Sequence, residues 1–296
     1  MIKLSEWIRA AQVSLMQADI DEEDAHFEPK RIVQDVLDLS TAQLILRMDQ
    51  SLDERELQRL DQVIKRRQNR EPLSQILGIW EFWSLPFHVT RDTLTPRPDT
   101  EVLVEEALSW LRTSALASRG ARVVDVGTGT GCVGLSLASE LPHLSFELTD
   151  VCVKALKVAE NNTLSLKRQD LIDPDVEIMI IQADLFQQNY DDSPPIAIVS
   201  NPPYIRQASS VDLMPEVVDY EPHIALFGDG MDGLGVIKRL THEAVEILPS
   251  GGGLFIEVGY DQTLESAAYL TQVGFQDVRI RRDYGGQPRV VSGFKN

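Results

Sequence analysis

The sequence predicts an α/β protein in which a small all-helical domain precedes a Rossmann-like, mostly parallel, doubly wound sheet. Three observations carry this. Before residue 70, apolar residues recur at helical spacing with no strand-like run between them. From residue 121 onward, short apolar runs alternate with helical stretches, the pattern of strands joined by crossover helices. Between them in kind, Val123-Val124-Asp125-Val126-Gly127-Thr128-Gly129-Thr130-Gly131 passes from a buried strand into a helix through glycines at alternate positions.

The first helix is expected over 4–18, with Leu4, Trp7, Ile8, Ala11 and Leu15 on one face. The acidic run 19–24 reads as a break, and Pro29 as the first-turn residue of a second helix carrying Ile32, Val33, Val36 and Leu37. A short helix over 41–47 follows, then one capped by Asp53 with Leu57, Leu60 and Ile64 inward. Pro72 ends this unit. Residues 73–89 read as a short strand and a hairpin, which puts a helical domain at 1–70, a linker at 71–94 and the sheet domain at 95–296. Asp99 or Thr100 can cap a helix whose apolar face is Val102, Leu103, Ala107, Leu108 and Leu111. Strands are expected at 122–126, 144–149, 177–181, 196–200 and 253–258, with helices between them, and 275–281 with 289–294 form a closing hairpin.

The 296 residues, 43% hydrophobic and 25% charged, suit a soluble globular chain of one large or two unequal domains. The opening residues do not resemble a signal peptide and no apolar run spans a bilayer, so a cytoplasmic location is expected. Cys132 and Cys152 lack metal-ligand spacing and read as buried free thiols, and His88, His143, His223 and His242 show no ligand spacing either; no metal is expected. A net charge of -18 argues against broad attraction to nucleic acid, which requires a positive surface to displace counterions.

Two stretches carry chemistry. The glycine loop lets the backbone approach a ligand closely at a helix start rich in free N–H groups, as a nucleotide-type site requires. Gly129, Gly131 and Gly134 also fit the dinucleotide pattern, with Asp150 at the next strand end able to accept from ribose hydroxyls. Ala183-Asp184-Leu185-Phe186, able to flank an adenine through Asp184 and Leu185, and the closing hairpin weigh against a dinucleotide oxidoreductase. The second stretch, Asn201-Pro202-Pro203-Tyr204, follows an apolar strand. Neither proline has an N–H, and a residue before proline is held extended, so the Asn201 carboxamide and the Pro202 carbonyl form an acceptor wall against which the Tyr204 ring can lie. Such a slot suits a planar –NH2 group, either an amide or an exocyclic base amine; the structural alternative is a plain turn. Phe82 to Phe87 could wall the same slot, and Arg97 could brace the region or meet a partner.

With these stretches in place, the chain resembles class I S-adenosylmethionine-dependent methyltransferases, and more closely the PrmC/HemK family of release-factor glutamine N(5)-methyltransferases. The resemblance runs through Arg70-Glu71-Pro72-Leu73, Glu81-Phe82-Trp83, Pro96-Arg97-Pro98-Asp99-Thr100-Glu101, Glu221-Pro222, Asp232-Gly233-Leu234, Glu257-Val258-Gly259, Asp283-Tyr284-Gly285 and Arg289-Val290. It implies a seven-stranded methyltransferase sheet and S-adenosyl-L-methionine held by Gly127, Thr128, Gly129, Thr130, Gly131, Asp150, Asp184, Leu185 and Asn201. It further implies a substrate glutamine held by Asn201, Pro202, Pro203 and Tyr204, with Asn201, Pro202 and Tyr204 catalytic. The implied partner is a peptide chain release factor, with no membrane and no direct nucleic-acid contact. Leu185 departs from relatives that place an aromatic there. The alternatives are a ribosomal-protein glutamine methyltransferase, an N(6)-adenine DNA methyltransferase acting on a flipped base, and a nucleotide-binding regulator without catalysis.

Overall fold

The computed structural model describes residues 2–187, 190 and 193–296. The chain divides into two compact units, one running up to Ile79 together with Met214–Tyr220, the other comprising Trp80–Leu213 and Glu221–Asn296.

The first unit is helical: α1 (Leu4–Gln17), α2 (Glu22–Leu37), α3 (Thr41–Arg47), α4 (Glu54–Gln68) and α5 (Leu73–Leu77). The five apolar residues expected on α1 are all buried. Helix α2 starts before Pro29, because Asp21 caps it by accepting from the Glu23 amide and Glu22, Glu23 and Asp24 fill its first turn. Acidic side chains complement the positive end of a helix dipole, so the run that read as a break is a start signal. Pro29 is then an interior residue. Ser40 and Asp53 close reciprocal capping boxes with Gln43 and Glu56. Residues 73–77 form a helix rather than a strand, stopped by Gly78 at φ +77.

This unit buries charge. Arg67 holds Glu28 through Nε at 2.8 Å and Glu216 through Nη1 at 2.7 Å, while Arg70 donates to the other Glu216 oxygen at 2.5 Å. Burial raises the Glu28 carboxyl despite Arg67, whereas for Glu216 the hydrogen bonds from Arg70 and Arg67 outweigh burial and lower it. Glu216 lies in a helix at Pro215–Tyr220, α9 in chain order.

A hairpin follows, β1 (Ile79–Phe82) and β2 (Leu85–His88), whose two-residue turn places Trp83 and Ser84 at φ +53 and +57, as a type I′ turn demands. Then follow α6 (Glu101–Leu111), β3 (Arg122–Val126), α7 (Cys132–Glu140), β4 (Ser145–Asp150), α8 (Val153–Arg168), β5 (Ile178–Gln182) and β6 (Ala197–Ser200). After β6 come α10 (His223–Leu226), α11 (Gly235–Ile247), β7 (Gly253–Glu257), α12 (Thr263–Val273), β8 (Phe275–Arg282) and β9 (Pro288–Lys295). The sheet order is β5-β4-β3-β6-β7-β9-β8, parallel through β7 and antiparallel at β9 and β8. No helix occurs among the described residues between β5 and β6, where one was expected; Asp184, Ser193, Pro194 and Pro195 favour turns there, and 188, 189, 191 and 192 lie outside the described residues.

The two-residue period of the strands sorts their side chains onto two cores. Val123, Ala197, Val199 and Phe255 face one, while Val124, Val126, Ile198, Leu254 and Ile256 face the other. Phe82 and Phe87 join the first core edge to face with centroids 6.2 Å apart. Packed inside, they do not wall a slot. The strand order reverses between β3 and β6, so the carboxyl ends of these neighbours flank the crevice where open α/β sheets bind ligands.

Candidate active site

At that crevice a cavity of about 460 Å³ is lined by the glycine loop, the ends of β4 and β6, and the strap Asp92, Thr93, Leu94, Thr95, Pro96 and Arg97. The loop leaves β3 with Gly127, Gly129 and Gly131 at φ +68, +56 and +85, values that side-chain-bearing residues rarely adopt. Its curvature is fixed from two sides. The buried Asp125 accepts from the Thr128 hydroxyl at 2.6 Å and the Gly134 amide at 2.9 Å. Asp150 accepts from the Gly129 amide at 3.0 Å and the Cys152 amide at 2.8 Å. Burial pushes the Asp125 carboxyl up to about 6 and raises Asp150 as well.

A residue that the sequence did not flag completes the loop. Asn162 on α8 is fully buried, donates to the Thr130 carbonyl at 2.8 Å and the His88 carbonyl at 3.1 Å, and accepts from the His88 amide at 2.7 Å. One carboxamide thus ties the glycine loop to the β1–β2 hairpin. The only hint in the sequence was a carboxamide on a helix face of mostly apolar residues. The cysteines are half-buried rather than buried, and both line the cavity because each stands at a helix start beside it. Burial still pushes the Cys132 thiol up to about 12, which keeps it protonated.

Leu185 lines the cavity at φ +72, held there by its carbonyl, which accepts from the buried Thr149 hydroxyl at 2.7 Å. A left-handed leucine costs on the order of 1 kcal/mol or more, a strain that ligand sites commonly carry. Asp184 also lines the cavity and pairs with Arg239 at 2.8 Å, a cavity residue that the sequence reading did not single out.

Asn201, Pro202 and Pro203 line the same cavity as the glycine loop, leaving the neighbouring strand end, and Tyr204 does not. The Tyr204 hydroxyl turns away to donate to Glu257 Oε1 at 3.1 Å, and burial together with the Glu257 charge pushes the phenol up. The Tyr204 carbonyl accepts at 2.9 Å from Gln262, whose amide also donates to the Asp232 carbonyl at 2.9 Å. Glu221, almost fully buried, accepts from the Thr95 amide at 3.1 Å and from Arg97 Nη2 at 2.8 Å, so Arg97 braces the strap over the cavity. Thr100 stands at the cap position of α6 but makes no cap bond. Instead its hydroxyl accepts from Asn201 Nδ2 at 3.1 Å. Among the described residues, no group of three or more His, Cys, Asp or Glu could hold a metal ion, and no helix is long and apolar enough to cross a membrane.

Comparison with known proteins gives this geometry a context. Residues 6–78 match the PrmC N-terminal domain and residues 103–221 the methyltransferase small domain. The release factor glutamine methyltransferase of Geobacter sulfurreducens is 36% identical over 92% of this chain and 90% of its own. The chain belongs to the release factor glutamine methyltransferase family. Its namesakes in Bradyrhizobium diazoefficiens, 35% identical over 92% of this chain and 89% of their own, and Flavobacterium psychrophilum, 34% identical over 86% of both, agree. The fold of the methyltransferase is shared with the hMettl16 catalytic domain solved in complex with a MAT2A 3′UTR hairpin, which covers 88% of this chain and 87% of that one at 16% identity and a TM-score of 0.55.

Several of the motifs that carried the family resemblance meet in the methyltransferase around Arg289. Arg289 pairs with Asp283 at 3.0 Å and Asp99 at 3.3 Å, and its charge also acts on Tyr204 and Glu257. Segments distant in sequence, 96–101, 257–259, 283–285 and 289–290, thus form one polar cluster beneath the wall.

Proposed function

We propose that this methyltransferase transfers a methyl group from S-adenosyl-L-methionine to the side-chain amide nitrogen of the glutamine in the Gly-Gly-Gln motif of a peptide chain release factor. The observation that carries the reading is that Asn201 and Pro202 line the same cavity as the glycine loop. Family membership supports the choice of a glutamine amide over a base amine. The cavity volume of about 460 Å³ lies in the range of small-molecule sites.

In this reading Gly127, Thr128, Gly129, Thr130 and Gly131 cradle the cofactor, Asp150 meets its ribose, and Asp184 and Leu185 flank its adenine. Bound there, S-adenosylmethionine supplies a methyl group made electrophilic by its sulfonium. The chain's own task is orientation. An amide nitrogen is a weak nucleophile because its lone pair is delocalised into the carbonyl, and fixing its two hydrogens fixes where that lone pair points. Asn201 Oδ1 and the Pro202 carbonyl take one hydrogen each, positive charge developing on the nitrogen strengthens both bonds in the transition state, and the methylated nitrogen, then a strong acid, gives up one of those protons to water. Pro203 stiffens the wall, and Tyr204, anchored through Glu257, sets its far end. No side chain acts as a covalent nucleophile. The helical domain, residues 1–70, recognises the release factor, residues 71–94 link it to the catalytic domain of residues 95–296, and the reaction takes place in the cytoplasm on a protein rather than a nucleic acid.

Transfer of labelled methyl from S-adenosylmethionine to a purified release factor tests this. Labelling is expected with the wild-type motif and is lost when its glutamine is replaced; equal labelling of both would refute the acceptor. Asn201→Ala is expected to lower kcat by about 100-fold or more while cofactor affinity changes by only a few-fold.

A further inference from the structure

The structure points to a residue that sets which end of the Asn201 carboxamide faces the substrate. Thr100 is 2% exposed and occupies the cap position of α6 without capping it, so its hydroxyl is free for another use. That hydroxyl lies 3.1 Å from Asn201 Nδ2 and beside the Glu257 carboxyl, whose upward displacement by burial it opposes. Glu257 is 2% exposed, its Oε1 accepts from the Tyr204 hydroxyl, and its Oε2 is buried without a hydrogen-bond partner among the described residues. The Thr100 oxygen presents its lone pairs to Asn201 at 3.1 Å, and only the –NH2 end of a carboxamide can satisfy them. Asn201 Oδ1 receives no hydrogen bond from any described residue and is not a buried atom, which leaves it open to the cavity that Asn201 lines.

We propose that Thr100 is a positioning residue that holds Asn201 Nδ2 and thereby locks the Asn201 carboxamide with its oxygen, not its nitrogen, toward the substrate. The assignment rests on the reading of Asn201 as an acceptor for a substrate –NH2 group. It also gives a reason for specificity: an oxygen at this point accepts from an amide N–H and repels the carboxylate of a glutamate, whereas a flipped carboxamide would do the reverse.

The test compares Thr100→Val, which keeps shape and loses the hydroxyl, with Thr100→Ser, which keeps the hydroxyl. Two readouts are used on the full chain: steady-state methylation of a release factor, and the side-chain 15NH2 signals of Asn201, assigned by their loss in Asn201→Ala. The expected result for Thr100→Val is a fall in kcat on the order of tenfold. Cofactor affinity should stay within about twofold, and the Asn201 side-chain amide signals should move toward those of a free carboxamide and lose their exchange protection. Thr100→Ser should retain both signatures. Unchanged kcat and amide signals in Thr100→Val would overturn the assignment, as would an equal loss in Thr100→Ser. If the wild-type protein methylates no release factor, the functional reading fails, and the amide signals alone still decide the role of Thr100.

Discussion

Asp125 shows how one buried carboxylate ties loop geometry to pH. It holds Thr128 and Gly134 through the same oxygen, and burial has pushed its carboxyl from 3.8 up to about 6. A folded-state value above the unfolded one means that the native state binds more protons between the two, so the contribution of Asp125 to stability is full below about pH 4 and is lost as pH rises through about 6. Asp125→Asn keeps an acceptor for both donors and cannot titrate. The difference in Tm between the variant and the wild type should therefore grow in the variant's favour from about pH 4 to about pH 6 and level off above. Parallel Tm profiles across that window would show that Asp125 titrates normally. The same residue was visible in the sequence only as an acid before three glycines; its burial, which makes it titrate near 6, comes from the strands packed on either side of β3.

At the scale of elements, local chemistry and packing disagree most clearly at α7. Gly134 sits inside this helix, where alanine would gain about 1 kcal/mol from propensity alone. A Cβ there would lie 2.3 Å from Leu148 Cδ2 and 3.0 Å from Asp125 Oδ2, both fixed in the core. Overpacking of this kind costs about 1–3 kcal/mol, so the clash wins. Gly134→Ala should lower the urea midpoint with an unchanged slope, and because it displaces Asp125 it should also weaken cofactor binding; a midpoint at or above wild type would show that Leu148 yields freely. Helix α2 teaches a related lesson. Its acidic first turn and interior Pro29 invert the usual punctuation, and the helix forms because its Asp21 cap and the packing of Ala25, Ile32 and Val33 outweigh one lost backbone bond. The capping boxes of α3 and α4 could be read directly, since each is made by residues three apart.

Over the whole molecule, 46 acidic residues against 28 basic ones leave a net charge of -18, and self-repulsion of that size favours expansion. Raising salt from about 10 to about 150 mM shortens the Debye length to about 8 Å, so Tm should rise over that range; a fall would mean that surface ion pairs outweigh the net charge. The sequence by itself placed the strands, the glycine loop, the acidic strand end at Asp150 and the Asn201-Pro202-Pro203 stretch that follows β6, because hydrophobic period, glycine conformation and proline geometry are local properties of a few neighbouring residues. Only the tertiary structure decided that Thr100 serves Asn201 instead of its own helix, that Asn162 ties the loop to a hairpin, that Phe82 and Phe87 belong to the core, and that Tyr204 turns toward Glu257. Each of these depends on which distant segments share a dry interior, where a buried polar group must find a partner wherever the fold supplies one.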